Sequence, residues 1–281
     1  MISKTPETPI EVVKEGETNH KVQSSNLKVK SNHKVQSSKF KFQSKESSNL
    51  KVQSKLKALL SSTYFGPIQW YQKLNRYDEC LIERHESFIK QTYRNRMIIP
   101  TTNGPLSLTI PTNHDISLSM KDIRISDHAN WRHVHWNALL SAYGESPFFE
   151  YYQDDIRPFY EKKYEFLFDF NMETTEKMIE LLDIRPKISV TDEYVLSEER
   201  KVKSEEFNSP EAQAQFNIQH STFNTPIKDF RDAIRPKKPL PDPEFESKRY
   251  YQVYEQKYGF QPNMSILDLL FNEGNEAIFF L

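Results

Sequence analysis

The 281-residue chain has one cysteine, Cys80, and six glycines. A single thiol excludes an intramolecular disulfide framework and any multi-cysteine zinc or iron–sulfur site. The glycines are too few for a phosphate-cradling loop, and neither G-x-G-x-x-G nor G-x-x-x-x-G-K-[ST] occurs. The longest apolar runs, such as Ala277–Leu281, are about five residues, against the roughly 20 that span a bilayer. No apolar stretch follows the N-terminal charges, so no secretory signal is expected. There is also no G-x-S-x-G elbow to support a serine hydrolase. What remains is a soluble protein of a reducing compartment, the cytoplasm, with Cys80 as a buried apolar-like residue.

Charge is unevenly placed. Residues 1–57 hold twelve lysines and five glutamates, with no arginine, no aspartate and no aromatic residue except Phe40 and Phe42, a net +7. The rest holds 26 basic and 34 acidic residues, a net −8. Asn19–Ser25 and Asn32–Ser38 both read NHKVQSS, and Ser24–Val29 and Ser47–Val52 both read SSNLKV. A repeat of six or seven residues is too short to build a packed layer, which takes about 20 or more. Residues 1–57 are therefore expected to be a disordered, low-complexity basic tail, with the fold starting near Ala58. A basic arm for nucleic acid is one reading of it. Translated repetitive DNA ahead of the true start is the plainer one. Nothing in the body adds to the case for nucleic acid.

The body starts with strands. Ala58–Tyr64 and Glu79–Glu83 read as strands flanking a helix over Pro67–Tyr77, whose proline suits a first helical position. Arg96–Pro100 and Leu106–Pro111 flank Asn103-Gly104, a hairpin signal, and Ile123–Ile125 adds a short strand. Helices follow. Trp131–Tyr143 carries Trp131, Val134, His135, Ala138, Leu139 and Ala142 on one stripe. Ser146-Pro147 opens another helix, and Pro158–Phe168 and Met172–Leu182 complete a helical block. Arg185–Pro243 contains seven prolines and reads as surface loop with one or two short strands. Arg249–Tyr258 reads as a helix, and Asn263 or Ser265 caps a last helix that stops near Gly274. The fold class is α/β or α+β: a small mixed sheet in the N-terminal half of one domain, residues 58–281, with the helical block packed on it and an irregular segment at about 185–243.

Three stretches together resemble the WbqC-like family of bacterial proteins. Tyr64–Arg96 follows the family's opening Y-x-P-x-x-x-Y-F-x-K-I pattern, then a strand, then a loop ending K-x-x-x-x-N-R. Trp131–Phe149, WRHVHWNALLSAYGESPFF, matches W-x-x-x-H with a following A-Y-x-x-x-P-[YF]-F. Gly259–Gly274 matches P-N-[LM]-S-I-[LI]-D-x-L-F-N-x-G. The resemblance implies a role in O-antigen or related surface-glycan assembly, and brings no secure reaction with it. Many members carry H-Q-P-N where this chain has Leu60, Ser61, Ser62 and Thr63. If that histidine is catalytic elsewhere, this branch uses another residue or has lost the activity.

The residues themselves offer three groups of candidates. Alternation along a strand puts Glu83 and His85 on one face, where a carboxylate can orient an imidazole as a general base. A divalent metal on the same pair and a merely solvated strand end are the alternatives. Lys90, Arg94, Asn95 and Arg96 form a donor cluster suited to a phosphate or carboxylate, as in a nucleotide sugar or an acyl or aminoacyl donor. Ion pairing to the many glutamates is the competing explanation. His135 shares the apolar stripe and the family's histidine position, and is either catalytic or a satisfied core residue. His133 lies about 200° away from it around a helix, so the two cannot chelate one metal. No cofactor follows from these residues. The best reading is a group transferase that passes an acyl or aminoacyl group to an amino sugar. A non-catalytic binding or scaffold protein of the same pathway is the alternative.

Overall fold

The structure is a computed structural model, and it describes residues 56–113, 118–196 and 227–281. The tail expected over residues 1–57 lies outside the described residues except for Leu56 and Lys57, and Lys57 already opens the first strand.

Strands β1 (Lys57–Ser61) and β2 (Glu79–Glu83) are joined by helix α1 (Ile68–Arg76), a βαβ unit. Both strands are short, nearly continuous apolar runs, the pattern of parallel strands covered on both faces. Next come a hairpin of β3 (Arg96–Thr101) and β4 (Gly104–Thr109), then a two-residue pair, β5 (Thr112–Asn113) and β6 (Arg124–Ile125). The helices are α2 (Trp131–Tyr143), α3 (Phe149–Ile156), α4 (Pro158–Glu161) and α5 (Leu167–Leu181). Strands β7 (Ile188–Val190) and β8 (Ile227–Asp229) follow, then α6 (Glu255–Tyr258) and α7 (Ile266–Glu273).

The main sheet runs β7-β2-β1-β8, and every pairing in it is parallel. The antiparallel pairings sit in two separate small sheets, β3–β4 and β5–β6. The two strands within the proline-rich region thus become the outer strands of the main sheet. Ala58, Leu60, Cys80 and Ile82 face the large core with the helices, while Leu59 and Leu81 turn to the other face, against Val195 and Ile227. Edge-on aromatic contacts among Phe65, Trp131, Phe159, Tyr164 and Phe170 fill the core between α2, α4 and α5.

Several element limits differ from those the sequence predicts. Pro67 is the N-cap of α1, one step outside the helix. The hairpin loop is Thr102-Asn103, because Gly104, at φ +93°, already pairs with Thr101. Ser146 does not cap a helix; α3 starts at Phe149. The helix expected over Pro158–Phe168 breaks after Glu161, since the next segment runs along β6: Ile125 N–H donates to the Glu165 carbonyl and Leu167 N–H to that of Ile123. Of Arg249–Tyr258 only the last turn is helical, because Tyr250 and Gln252 reach away to bond Asp268. On α2, Val134 is exposed, and the buried stripe is Trp131, His135, Leu139 and Ala142.

The last helix behaves as its sequence suggests. Ser265 Oγ accepts from Leu267 N–H at its start, and Gly274 ends it at φ +57°. Between them, Asp268 is fully buried. Its carboxylate accepts from Tyr250 Oη at 2.5 Å and Gln252 Nε2 at 2.7 Å, and burial pushes its pKa up to about 6 despite these bonds.

Candidate functional site

The four parallel strands end along one edge, staggered by one or two residues, at Ser61, Glu83, Val190 and Asp229. In open α/β sheets ligands bind outside such carboxyl ends. Here that edge holds most of the buried charge of the sheet.

Glu83 is the centre. It is fully buried, and its four contacts come from three separate segments. Oε1 accepts from Thr191 Oγ1 and from the backbone N–H of His85, both at 2.8 Å. Oε2 accepts from Val195 N–H at 2.7 Å and lies 3.5 Å from Arg231 Nη1. The expected carboxylate–imidazole pair is therefore absent: Glu83 bonds the main chain of His85, and the ring points elsewhere. The strand stops at Glu83 and the chain bends over Arg84–Glu86, so strict alternation does not extend to residue 85. The His85 ring is half-buried, and its Nε2 accepts from Arg84 Nε at 3.2 Å, which leaves the proton on Nδ1.

Arg231 is the buried counter-charge. Its Nε and Nη2 bond the two oxygens of Asp229 at 2.9 and 2.7 Å, and Nη2 also reaches the Val195 carbonyl. Burial opposes the charge, but the Asp229 carboxylate outweighs it and holds the arginine pKa above its ordinary value. A second buried pair lies beside it. Arg94 binds Glu86 through Nε and Nη2, at 2.8 and 2.5 Å, and also donates to Ser61 Oγ at 2.7 Å. Bidentate geometry of this kind suits a desolvated arginine.

Outside these pairs is an open cleft of about 270 Å³ lined by His85, Glu86, Ser87, Ile89 and Tyr194. Behind them is a void of about 10 Å³, bordered by Ser61, Thr63, Arg94 and Arg231. It has room for a single water. Leu60, Ser61, Ser62 and Thr63, the four positions that depart from the family pattern, thus lie at the end of β1 beside the site. Among the described residues, no group of three or more histidine, cysteine, aspartate or glutamate side chains could hold a metal ion.

The other expected donors do not gather here. Lys90 is exposed, on the same loop as His85. Asn95 is buried and donates to the Ile110 carbonyl, and Arg96 donates to Thr109 Oγ1 across the hairpin. His135 joins this second group. Its Nδ1 is 3.0 Å from Tyr64 Oη, which is 2.8 Å from Tyr160 Oη, and its ring also bonds the Thr109 backbone. Burial pushes its pKa down to about 4. Both ring nitrogens are occupied inside the core, where a neutral imidazole ties the segment between β1 and α1 to α2, α4 and the hairpin.

The sequence reading missed Thr191, Tyr194, Asp229 and Arg231. All four lie in or beside the proline-rich region. The available signal was Asp229-Phe230-Arg231, an acid and a base on either side of an aromatic residue.

With this geometry in view, the chain can be assigned. It is a mixed α/β protein with a polar cleft at the carboxyl edge of a parallel sheet. It belongs to the WbqC-like protein family, whose sequence profile matches residues 61–279. It is similar to a protein called "Uncharacterized protein Rv1507c" from Mycobacterium tuberculosis (strain ATCC 25618 / H37Rv), with 26% identity over 224 residues, covering 78% of this chain and 94% of the relative. No solved structure matches it.

Proposed function

We propose that the cleft is the acceptor site of a cytoplasmic group-transfer enzyme of bacterial surface-glycan assembly, with His85 as its general base. The observation that carries this reading is the placement of His85: its ring lines a polar cleft at the sheet's carboxyl edge, while its main chain is held by fully buried Glu83. An amine or hydroxyl of a sugar attacks the carbonyl carbon of an acyl or aminoacyl donor. The new C–N or C–O bond forms and the donor's leaving group departs with its electron pair, while His85 Nε2 gives up its long bond from Arg84 Nε, takes the acceptor's proton and passes it to that group. At about 270 Å³ the cleft is just below the roughly 300–1,000 Å³ typical of ligand pockets. It suits one sugar ring or an amino acid rather than a whole nucleotide sugar.

The candidate residues take different parts in this reading. Glu83 is a positioning residue, and Arg94 builds the wall by pairing with Glu86. Lys90 is the exposed cation on the same loop, placed for a donor phosphate or carboxylate. Asn95, Arg96 and His135 support the hairpin from inside. The test is transfer from an acyl-coenzyme A or an activated amino acid to an amino sugar, followed by mass spectrometry on the full chain. His85→Ala should slow it by about 10²–10⁴-fold, the usual share of a general base, with at most a few degrees' change in melting temperature. Transfer that proceeds equally well in the variant refutes the assignment.

A second reading, a non-catalytic binding protein of the same pathway, is favoured by Leu60, which stands near the end of β1 where many members have histidine. It requires that a sugar bind wild type and His85→Ala equally and that neither turn it over.

A further inference from the structure

Tyr194 lines the same cleft, with 42% of its surface exposed. The Arg231 guanidinium lies 5.1 Å from its ring centroid, in cation–π range. Its neighbour Val195 is fixed on both sides: the N–H donates to Glu83 and the carbonyl accepts from Arg231. Arg231 is itself locked by Asp229. An aromatic ring on so constrained a segment is oriented before any ligand arrives, and preorganisation of this kind lowers the ordering cost of binding.

We propose that Tyr194 is a stacking platform for the ring of a sugar-type ligand and so a specificity-determining residue of the cleft. The proposal rests on the reading of the cleft as a substrate site. A pyranose has an apolar C–H face and a polar edge. The cleft has the matching pattern, an aromatic surface with Ile89 as its other apolar group and His85, Glu86 and Ser87 for the hydroxyls. A nucleobase is apolar on both faces and would set one of them against these polar groups. The cation against Tyr194 also disfavours a cationic ligand over the ring. The amine of an amino sugar therefore belongs at the edge, beside His85.

The test is saturation-transfer NMR on the full chain with N-acetylglucosamine, glucosamine and adenosine as probes. Wild type should transfer saturation to the ring C–H protons of both sugars. Tyr194→Phe keeps the ring and should bind within about two-fold, while Tyr194→Leu should bind about ten-fold more weakly. Should the leucine variant not fold, Tyr194→Trp decides, since its larger face should tighten binding; equal or weaker binding overturns the proposal. Unchanged sugar binding in Tyr194→Leu, Tyr194-dependent binding of adenosine alone, or no sugar binding at all also overturns it. The transfer assay with His85→Ala separates this result from the proposed reaction. If Tyr194→Leu leaves sugar binding intact while His85→Ala stops transfer, the platform fails and the site reading stands. If sugar binding depends on Tyr194 while transfer is indifferent to His85, the platform stands and the reaction fails.

Discussion

Glu83 accepts the backbone N–H of His85 at 2.8 Å and makes no bond to its ring. The carboxylate holds the loop, and the imidazole is left to the cleft. The same carboxylate holds Thr191 and Val195, so one side chain sets the distance between two loops that are remote in sequence.

That arrangement separates the effects of substituting the two residues. Glu83→Gln puts an amide donor against N–H groups that now have an acceptor, and leaves Arg231 with less counter-charge. Breaking a buried pair on one side costs about 3–5 kcal/mol, and the Asp229 contact that remains should keep this case near the lower end. The half-buried His85 ring bonds the Arg84 side chain, and the backbone N–H that Glu83 holds survives the substitution, so His85→Ala should cost under about 1 kcal/mol. Urea denaturation gives both values, and a Glu83→Gln midpoint equal to wild type would refute the role given to this carboxylate.

Two buried groups should give opposing pH dependences. His135 has its pKa lowered to about 4, so its contribution to stability is complete above the unfolded value near 6.5 and is lost as pH falls through 4. Asp268 has its pKa raised to about 6, so its contribution is complete below about 4 and is lost as pH rises through 6. Each shift amounts to about 3 kcal/mol, and between pH 4 and 6 the two slopes offset one another. Asp268→Asn removes one slope. Its stability relative to wild type should fall by about 3 kcal/mol as pH is lowered from 6.5 to 4, as read by urea midpoints. Parallel curves for the two proteins would contradict the burial of Asp268.

Lys73, on α1, has its side chain almost fully buried against Asp242, with Nζ 2.9 Å from Oδ2 and 4.5 Å from the Phe230 ring centroid. Asp242 also accepts from Gln69. These bonds fasten the proline-rich segment to α1. Lys73→Met strands the Asp242 charge and should cost about 3–5 kcal/mol, while Lys73→Met combined with Asp242→Asn should recover part of that loss. A double-mutant cycle measures the coupling, and strict additivity would show that the pair does not interact.

Gly274 has φ +57°, and a Cβ there would come within 2.7 Å of the Phe148 ring. Gly274→Ala meets both backbone strain and a steric clash, so a loss of at least about 1–3 kcal/mol is expected in thermal or urea unfolding. A wild-type melting temperature would show that α7 can end in another way.

Much of the fold follows from local pattern. The apolar runs Ala58–Leu60 and Cys80–Ile82 specify buried strands, and the spacing from Trp131 to Ala142 specifies a helix. Ser265 and Gly274 bound another helix by cap and φ preference, both properties of single residues. The residues between Glu161 and Leu167 escape such reasoning, because pairing with β6 overrides their helical spacing. The candidate site escapes it further. Periodicity locates the end of a strand and so points to Glu83 and His85, but it carries no information about what crosses the neighbouring strand ends. Arg231, Asp229 and Tyr194 reach the site only because β7 and β8 flank β2 and β1 in the sheet. A buried carboxylate needs partners for all its lone pairs, and which residues supply them is settled by the three-dimensional crossing of distant segments. Local sequence determined the elements and the kinds of side chain at their ends. Tertiary structure alone decided that Glu83 is held between two loops, that Arg94 is paired within the fold, and that His135 belongs to the core.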